Sequence, residues 1–470
     1  MKRSVDSMEI NTRVRPFGIK DKLGYLFGDF GNDFTFILSS SFLMKFYTDV
    51  MGVSPAVIGS IMAIARFVDA FTDVTMGRIC DKSKVTPKGK FRPWILRMCG
   101  PVAISSFLMY QSSLVNLPYA AKVAYLFVTY ILWGSVFYTS VNIPYGSMAS
   151  AISNKPEDRQ SLSTYRTMGG MLAGAFVTAV IPLIVYDKVQ GKDIMNGGRF
   201  TIVAGVCSAL AIVCYLLCYG LIRERVTFKS EPQKHGDNNV FRMLGNAVKN
   251  RALISIIVAS VVMLLAQLTL QQMTNYIYPN YYGNASMQSV STLAMSGGMI
   301  VAAFVAKPLV KKFGKAEVSA VSNLVAGLGS LLLYFLRPQD VSVYIAIQTI
   351  CWLGLGVFSM VSWALITDVI DYSEIKNGIR EDGSVYALYS FARKLGQAAA
   401  SGVTGALLTA IGYSETTAFD ENVLEGIFDI STIVPAVGFI LLAAVLWFWY
   451  PLHKKQVDEN VAILEKKHSK

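Results

Sequence analysis

The stretch Ile64-Ala65-Arg66-Phe67-Val68-Asp69-Ala70-Phe71-Thr72-Asp73-Val74-Thr75-Met76-Gly77 sets one arginine and two aspartates at helical spacing inside a run otherwise apolar enough to span a membrane. A charged side chain near the centre of a bilayer costs about 3 kcal/mol on insertion scales, so such residues persist where they meet a polar cavity, an ion or a partner charge. Asp69 and Asp73 are four apart and share one helix face, and Arg66 lies one turn earlier.

The rest of the chain supports a membrane setting. Of its 470 residues 53% are hydrophobic and 16% charged, with a mean hydropathy of +0.44, too apolar for a soluble globular protein. Met1 to Ile10 carry charge without an apolar core, so no cleavable signal is expected and the first span itself should direct insertion. The net charge of +12 is spread between hydrophobic runs, which points to positive-inside topology rather than to nucleic acid as a partner. Six cysteines lie in or beside apolar runs, without the spacing of metal ligands, and read as core or lipid-facing thiols. The three histidines, His235, His453 and His468, fall outside those runs, which excludes an intramembrane histidine relay.

Apolar runs of roughly 20 residues or more number about twelve. The first is expected near Leu23 to Val50, the second near Pro55 to Ile79, the fourth near Ala121 to Ser150, and the last near Ile430 to Trp449. Basic residues concentrate at the amino terminus, after the second span, between the sixth and seventh, after the eighth and in the tail, which places both termini in the cytoplasm. The expected organisation is an all-α membrane protein of the major facilitator fold. Residues 1–222 form one six-helix bundle, 223–251 a cytoplasmic linker, 252–450 a second bundle and 451–470 a cytoplasmic tail. A bacterial inner membrane and a monomer are the expectations for location and assembly.

Polar residues then converge on one depth. At about 1.5 Å of rise per residue, Asp33, Asp69, Asn142 and Lys394 all lie roughly 12 to 15 Å along their spans, near the midplane where a transport site belongs. Asp69 and Asp73 offer hard oxygen ligands to a small cation, or share a proton. The competing reading is an interhelical structural ion pair between Arg66 and one aspartate. Thr139 offers a neutral oxygen to the same ion, or bonds back to its own helix. Arg166 suits bidentate recognition of hydroxyls or a carboxylate, with cytoplasmic gate pairing as the competitor. Arg393 and Lys394 put two cations in the eleventh span, and adjacent helical residues point about 100° apart, so Arg393 alternatively packs or snorkels. Asp368, Asp371 and Glu374, closing the tenth span, read as gate residues that pair with basic turns. No nucleophile motif accompanies these carboxylates, so an enzyme is not expected.

The same residues carry a resemblance. Arg66 to Asp73 with Gly77, followed by Lys88-Gly89-Lys90-Phe91-Arg92-Pro93-Trp94, resembles the signature of the glycoside-pentoside-hexuronide:cation symporters, and Asp368-Val369-Ile370-Asp371-Tyr372-Ser373-Glu374 resembles a second motif of that family. The resemblance assigns Asp69, Asp73 and Thr139 to a cation site, Asp33 and Arg166 to sugar recognition, and Lys394 to the region between. Melibiose carriers have an aspartate where this chain has Asn142 and a tryptophan where it has Gly146. The runs around Tyr138 to Ser147 and Tyr389 to Gln397 are closer to glucuronide and xyloside carriers. Loss of an acid with a cation gained beside Lys394 suits a carboxylate-bearing substrate. The function implied is inward symport of Na+ or H+, with Li+ as a substitute, together with a glycoside, a uronide foremost. A neutral glycoside or xyloside symporter, or an uncoupled uniporter, is the alternative. No organic cofactor is implied.

Overall fold

A computed structural model describes residues 9–10, 15–227, 250–377 and 382–468. Most of the linker expected over 223–251 lies outside the described residues. The chain divides into two compact units, residues 1–234 and 235–470.

The first unit is built from six long helical segments. These are α1 (Ile19–Asp49), α2 (Pro55–Lys82), α3 (Arg92–Leu108), α4 (Tyr119–Ile131) running through a π-helical turn (Leu132–Tyr138) into α5 (Thr139–Ile152), then α6 (Pro156–Val185) and α7 (Gly197–Leu221). Prolines at the first turns of α2, α3 and α6 fit positions where a backbone N–H has no helical partner to lose. Asn196 caps α7 by accepting from the Arg199 amide at 3.0 Å. Helix α1 lies against α6 and α7. A Cβ at Gly31 would sit 3.2 Å from both the Ala211 carbonyl and the Tyr215 ring, so the missing side chain permits that approach. Between α6 and α7 a hairpin pairs β2 (Tyr186–Val189) with β3 (Lys192–Met195), turning through Gln190 and Gly191, both at positive φ. A short β1 (Glu9–Ile10) pairs with β4 (Val226–Thr227).

The start of the linker is pinned to the first unit. Asp21, fully buried, accepts from Arg225 at 2.9 Å, Arg15 at 3.0 Å and the Arg223 amide at 3.2 Å. The Glu224 carboxylate receives the amides of Lys90, Phe91 and Arg92 at 2.7, 2.9 and 2.8 Å, covering the open amino end of α3.

The second unit repeats the pattern. It comprises α8 (Arg251–Tyr276) ending in a π-helical turn (Ile277–Tyr281), α9 (Ser286–Phe313), α10 (Lys315–Leu336), α11 (Val341–Asn377), α12 (Asp382–Ala410), α13 (Glu421–Ala444) with a π-helical turn (Val445–Trp449), and a polar helix α14 (Lys454–His468). Gly314, at φ +104°, joins α9 to α10 without a loop. Helix α13 begins nine residues before the expected Ile430, because Glu421 and Glu425 are acids at an amino-terminal helix end, where the backbone dipole favours them.

Twelve long helical segments, six per unit, are therefore present among the described residues, and eight are long and apolar enough to cross a membrane by length and composition. Those that fall short include α1, α2 and α12, which carry charges within the span, and α3, which has 17 residues. Large apolar side chains such as Phe304, Phe335 and Phe448 point outward, each more than 70% exposed, as expected where lipid is the solvent. All six cysteines are free and buried, in line with their reading as core thiols.

Candidate functional site

The polar residues of the first unit gather into two neighbouring groups. In the first, α2 presents Asp69 and Asp73 toward the π-helical turn and the start of α5. Ser135 Oγ donates to Asp69 Oδ1 by a short hydrogen bond, and Thr139 Oγ1 donates to Asp73 Oδ1 at 2.9 Å. Thr139 also lies 3.2 Å from the Gly134 carbonyl, so both functions anticipated for its hydroxyl are within reach. Arg66 pairs with Asp69 Oδ2 at 3.2 Å within α2, and its guanidinium lies 5.0 Å from the centroid of Phe36. The pair weighed from the sequence was interhelical, whereas the one observed joins residues three apart on α2. It does not displace Asp69 from the group, because the other oxygen of the same carboxylate faces Ser135.

The π-helical turn explains how two hydroxyls meet two acids. A wider turn rotates the residues after it relative to those before, and such turns cluster at functional sites. Gly134 within it faces α2, where a Cβ would stand 3.7 Å from Asp69 Oδ1, in ordinary contact. Ser135 was not anticipated from the sequence. The signal was available, because Ser135 and Thr139 repeat the four-residue spacing of Asp69 and Asp73.

Chemically, the group holds two carboxylates and one guanidinium, a charge of −1 among the three, with two hydroxyl oxygens alongside. Hard oxygen donors of this kind fit a small monovalent cation or a proton. No cluster of three or more His, Cys, Asp or Glu suited to a metal occurs among the described residues, so hydroxyls are the available further ligands here.

The second group involves α1, α5 and α6. Arg166 Nε donates to Asp29 Oδ1 at 3.0 Å, and its guanidinium carbon lies 5.2 Å from the ring centroid of Tyr145. Its partner is thus an acid of its own unit, one that reading the sequence passed over although it lies one turn before Asp33. Tyr145 is itself fixed. Its ring stacks on Tyr25 at 4.6 Å, the Tyr25 hydroxyl donates to the Tyr145 carbonyl at 3.3 Å, and the Tyr145 hydroxyl donates back to the Tyr25 carbonyl. Asp33 is half-buried beside Gly170, where a Cβ would fall 2.6 Å from its Oδ2 and 3.0 Å from Asp29 Oδ2. Asn142, also half-buried, lies on α5 three residues after Thr139.

The second unit holds the remaining candidates. The Arg393 guanidinium sits 5.8 Å from the Trp363 ring and 5.9 Å from the Tyr389 ring, which agrees with the packing alternative for this residue. Lys394, next to it on α12, is half-buried. Asp368 receives Lys315 Nζ at 2.6 and 2.8 Å on its two oxygens, the pairing of a tenth-span acid with a basic turn expected of a gate residue. Asp371 and Glu374 follow on α11, Glu374 buried and Asp371 partly so.

Comparison with known proteins bears on what these groups serve. The family described as MFS/sugar transport protein matches residues 24–454. The glucuronide carrier protein homolog of Escherichia coli is 29% identical over 445 residues, covering 94% of this chain and 94% of that protein. The isoprimeverose transporter of Lactiplantibacillus pentosus is 30% identical, covering 96% of this chain and 92% of that one. Among solved structures, a D-xylose-proton symporter superposes with a TM-score of 0.62 at 15% identity, over 92% of this chain and 97% of that one, a likeness of fold. The chain thus belongs to the MFS/sugar transport protein family, in its glycoside-pentoside-hexuronide branch, and is a multi-pass membrane transporter of sugars rather than an enzyme.

Proposed function

We propose that the protein is a secondary active symporter that couples inward movement of Na+ or H+ to uptake of a glycoside by alternating access, with a glucuronide or other uronide as the preferred substrate. The observation that carries the coupling is the meeting of Asp69 and Asp73 with the hydroxyls of Ser135 and Thr139. In this reading the cation binds among these oxygens. Li+ would substitute for Na+ in the same oxygen set. Without the ion, the repulsion of two nearby carboxylates disfavours the loaded conformation. With it, sugar and ion each raise the other's affinity, which is what coupling requires.

Sugar recognition falls to Asp33 and Arg166, with Asn142 and Gly146 lining the same region of α5. An acid with a fork of N–H donors suits the vicinal hydroxyls of a glycoside. The uronide preference rests on Asn142 standing where melibiose carriers have an acid, on the cations Arg393 and Lys394, and on the similarity to a glucuronide carrier homolog. The similarity to an isoprimeverose transporter favours the second reading, a neutral glycoside or xyloside as substrate. On either reading the protein sits in the bacterial inner membrane with both termini cytoplasmic, and works as a monomer.

The test is counterflow in proteoliposomes with paired nitrophenyl glycosides and glucuronides, with and without sodium. Faster, cation-stimulated counterflow of the glucuronides is the expected result. Equal affinity for neutral and uronide partners would overturn the uronide preference, and counterflow indifferent to sodium and to pH would overturn coupling.

A further inference from the structure

Arg166 is constrained on two sides. Its Nε edge is taken by Asp29 at 3.0 Å, and its guanidinium carbon lies over the ring of Tyr145, which two reciprocal hydrogen bonds with Tyr25 hold in place. A guanidinium carries five N–H donors in a rigid fork, and the Nε–H is the one given to Asp29. The Nη1 end is the one that meets open space. Gly146 is exposed, and a Cβ on it would reach only to 3.7 Å from Arg166 Nη1, so the absence of a side chain at 146 leaves the room in front of that nitrogen empty. On the other side, the carboxylates of Asp29 and Asp33 both lie close against Gly170. A Cβ there would stand 2.6 Å from Asp33 Oδ2, closer than real contacts allow, and 3.0 Å from Asp29 Oδ2, a contact tight enough that the Asp29 carboxylate would have to shift.

We propose that Asp29 is a positioning residue for substrate recognition, holding Arg166 by its Nε edge so that the Nη1 end is presented over Gly146, with Gly170 providing the space in which the Asp29 carboxylate lies. This rests on the reading of the Arg166 region as the substrate site. A long flexible arginine loses less rotamer freedom on binding when it is already tethered, so the tether acts on substrate affinity. It also sets which edge of the fork is offered, favouring a ligand group small enough to sit over Gly146, such as a carboxylate or a pair of adjacent hydroxyls.

The experiment compares Asp29→Asn, Gly170→Ala and Arg166→Ala with wild-type protein in proteoliposomes, using a nitrophenyl glucuronide and the matching glucoside. Asp29→Asn keeps the shape of the side chain and removes its charge. It is expected to raise the half-saturating glycoside concentration roughly tenfold, the scale of one charge-assisted hydrogen bond. The maximal rate and the cation concentration for half-saturation without glycoside stay at wild-type values. Gly170→Ala, with Asp29 intact, moves the glycoside value in the same direction. Wild-type glycoside affinity in Asp29→Asn overturns the inference, and so does a parallel loss of maximal rate and cation affinity, which marks a merely structural role. If Arg166→Ala loses glycoside affinity and Asp29→Asn does not, only the tether is wrong. If Arg166→Ala binds like wild type, or wild-type protein binds neither probe, the reading of the site falls with it.

Discussion

Thr139 donates its hydroxyl to Asp73 at 2.9 Å, one helical turn beyond the point where Ser135 donates to Asp69. Two hydroxyls and two carboxylates thus face each other in step across α2 and the π-helical turn. That register makes each acid separately testable.

Replacing Asp69 or Asp73 by cysteine removes a hard oxygen ligand and a charge together. Each variant is expected to lose uphill accumulation of glycoside while retaining exchange or downhill flux, measured as uptake against counterflow in the same vesicles. Concentrative uptake surviving in both variants would remove these residues from coupling.

Ser135→Ala deletes one donor to Asp69 and one neutral oxygen near the cation. A hydrogen bond to a charged group is worth about 1.5 to 3 kcal/mol, so the cation concentration for half-maximal uptake should rise about tenfold or more. Glycoside affinity at saturating cation should change little. A shift in glycoside affinity alone would assign Ser135 to the other group.

Arg166→Lys keeps the charge and loses the planar fork, the Nε bond to Asp29 and the stacking on Tyr145. Glycoside affinity is expected to fall about tenfold, an effect near 1.4 kcal/mol, with cation binding in the absence of sugar unchanged. Equilibrium binding of a nitrophenyl glycoside to purified protein measures this directly.

Glu224→Gln tests the fold rather than the site. The carboxylate accepts three successive amides at the start of α3, and an amide oxygen replaces only part of that. The loss of a charge at a helix amino terminus should cost about 0.3 to 2 kcal/mol, read as a lower apparent melting temperature in detergent with substrate affinity unchanged.

The parts of this account differ in how far the residues alone disclosed them. The twelve spans were legible because hydrophobic length and loop charge are additive signals that survive errors at individual positions. Asp69 and Asp73 stood out because charge in an apolar run is costly enough to demand a reason, whereas Thr139, uncharged, was drawn in by the family resemblance. Ser135 did not stand out, since a lone serine in a membrane helix most often bonds to its own backbone, and the π-helical turn that aims it at Asp69 leaves no composition signature. Asp29 was hidden by its neighbour: four residues before Asp33, it looked like the same helical stripe, and only the structure shows that Asp29 is the acid bonded to Arg166 Nε. Arg393 was flagged for the substrate with packing as the alternative, and its guanidinium lies 5.8 Å from the Trp363 ring and 5.9 Å from the Tyr389 ring, a packing contact that only the structure displays.

Linkage between ion and sugar is the central claim, and equilibrium binding tests it most directly. Glycoside affinity of purified protein is titrated with and without saturating Na+, Li+ or low pH, and cation affinity with and without saturating glycoside. The account predicts that one of these cations tightens glycoside binding, that glycoside tightens the same cation by the same factor, and that both effects vanish in Asp73→Cys. Glycoside affinity independent of every cation, or linkage that persists in Asp73→Cys and Asp69→Cys, would contradict it.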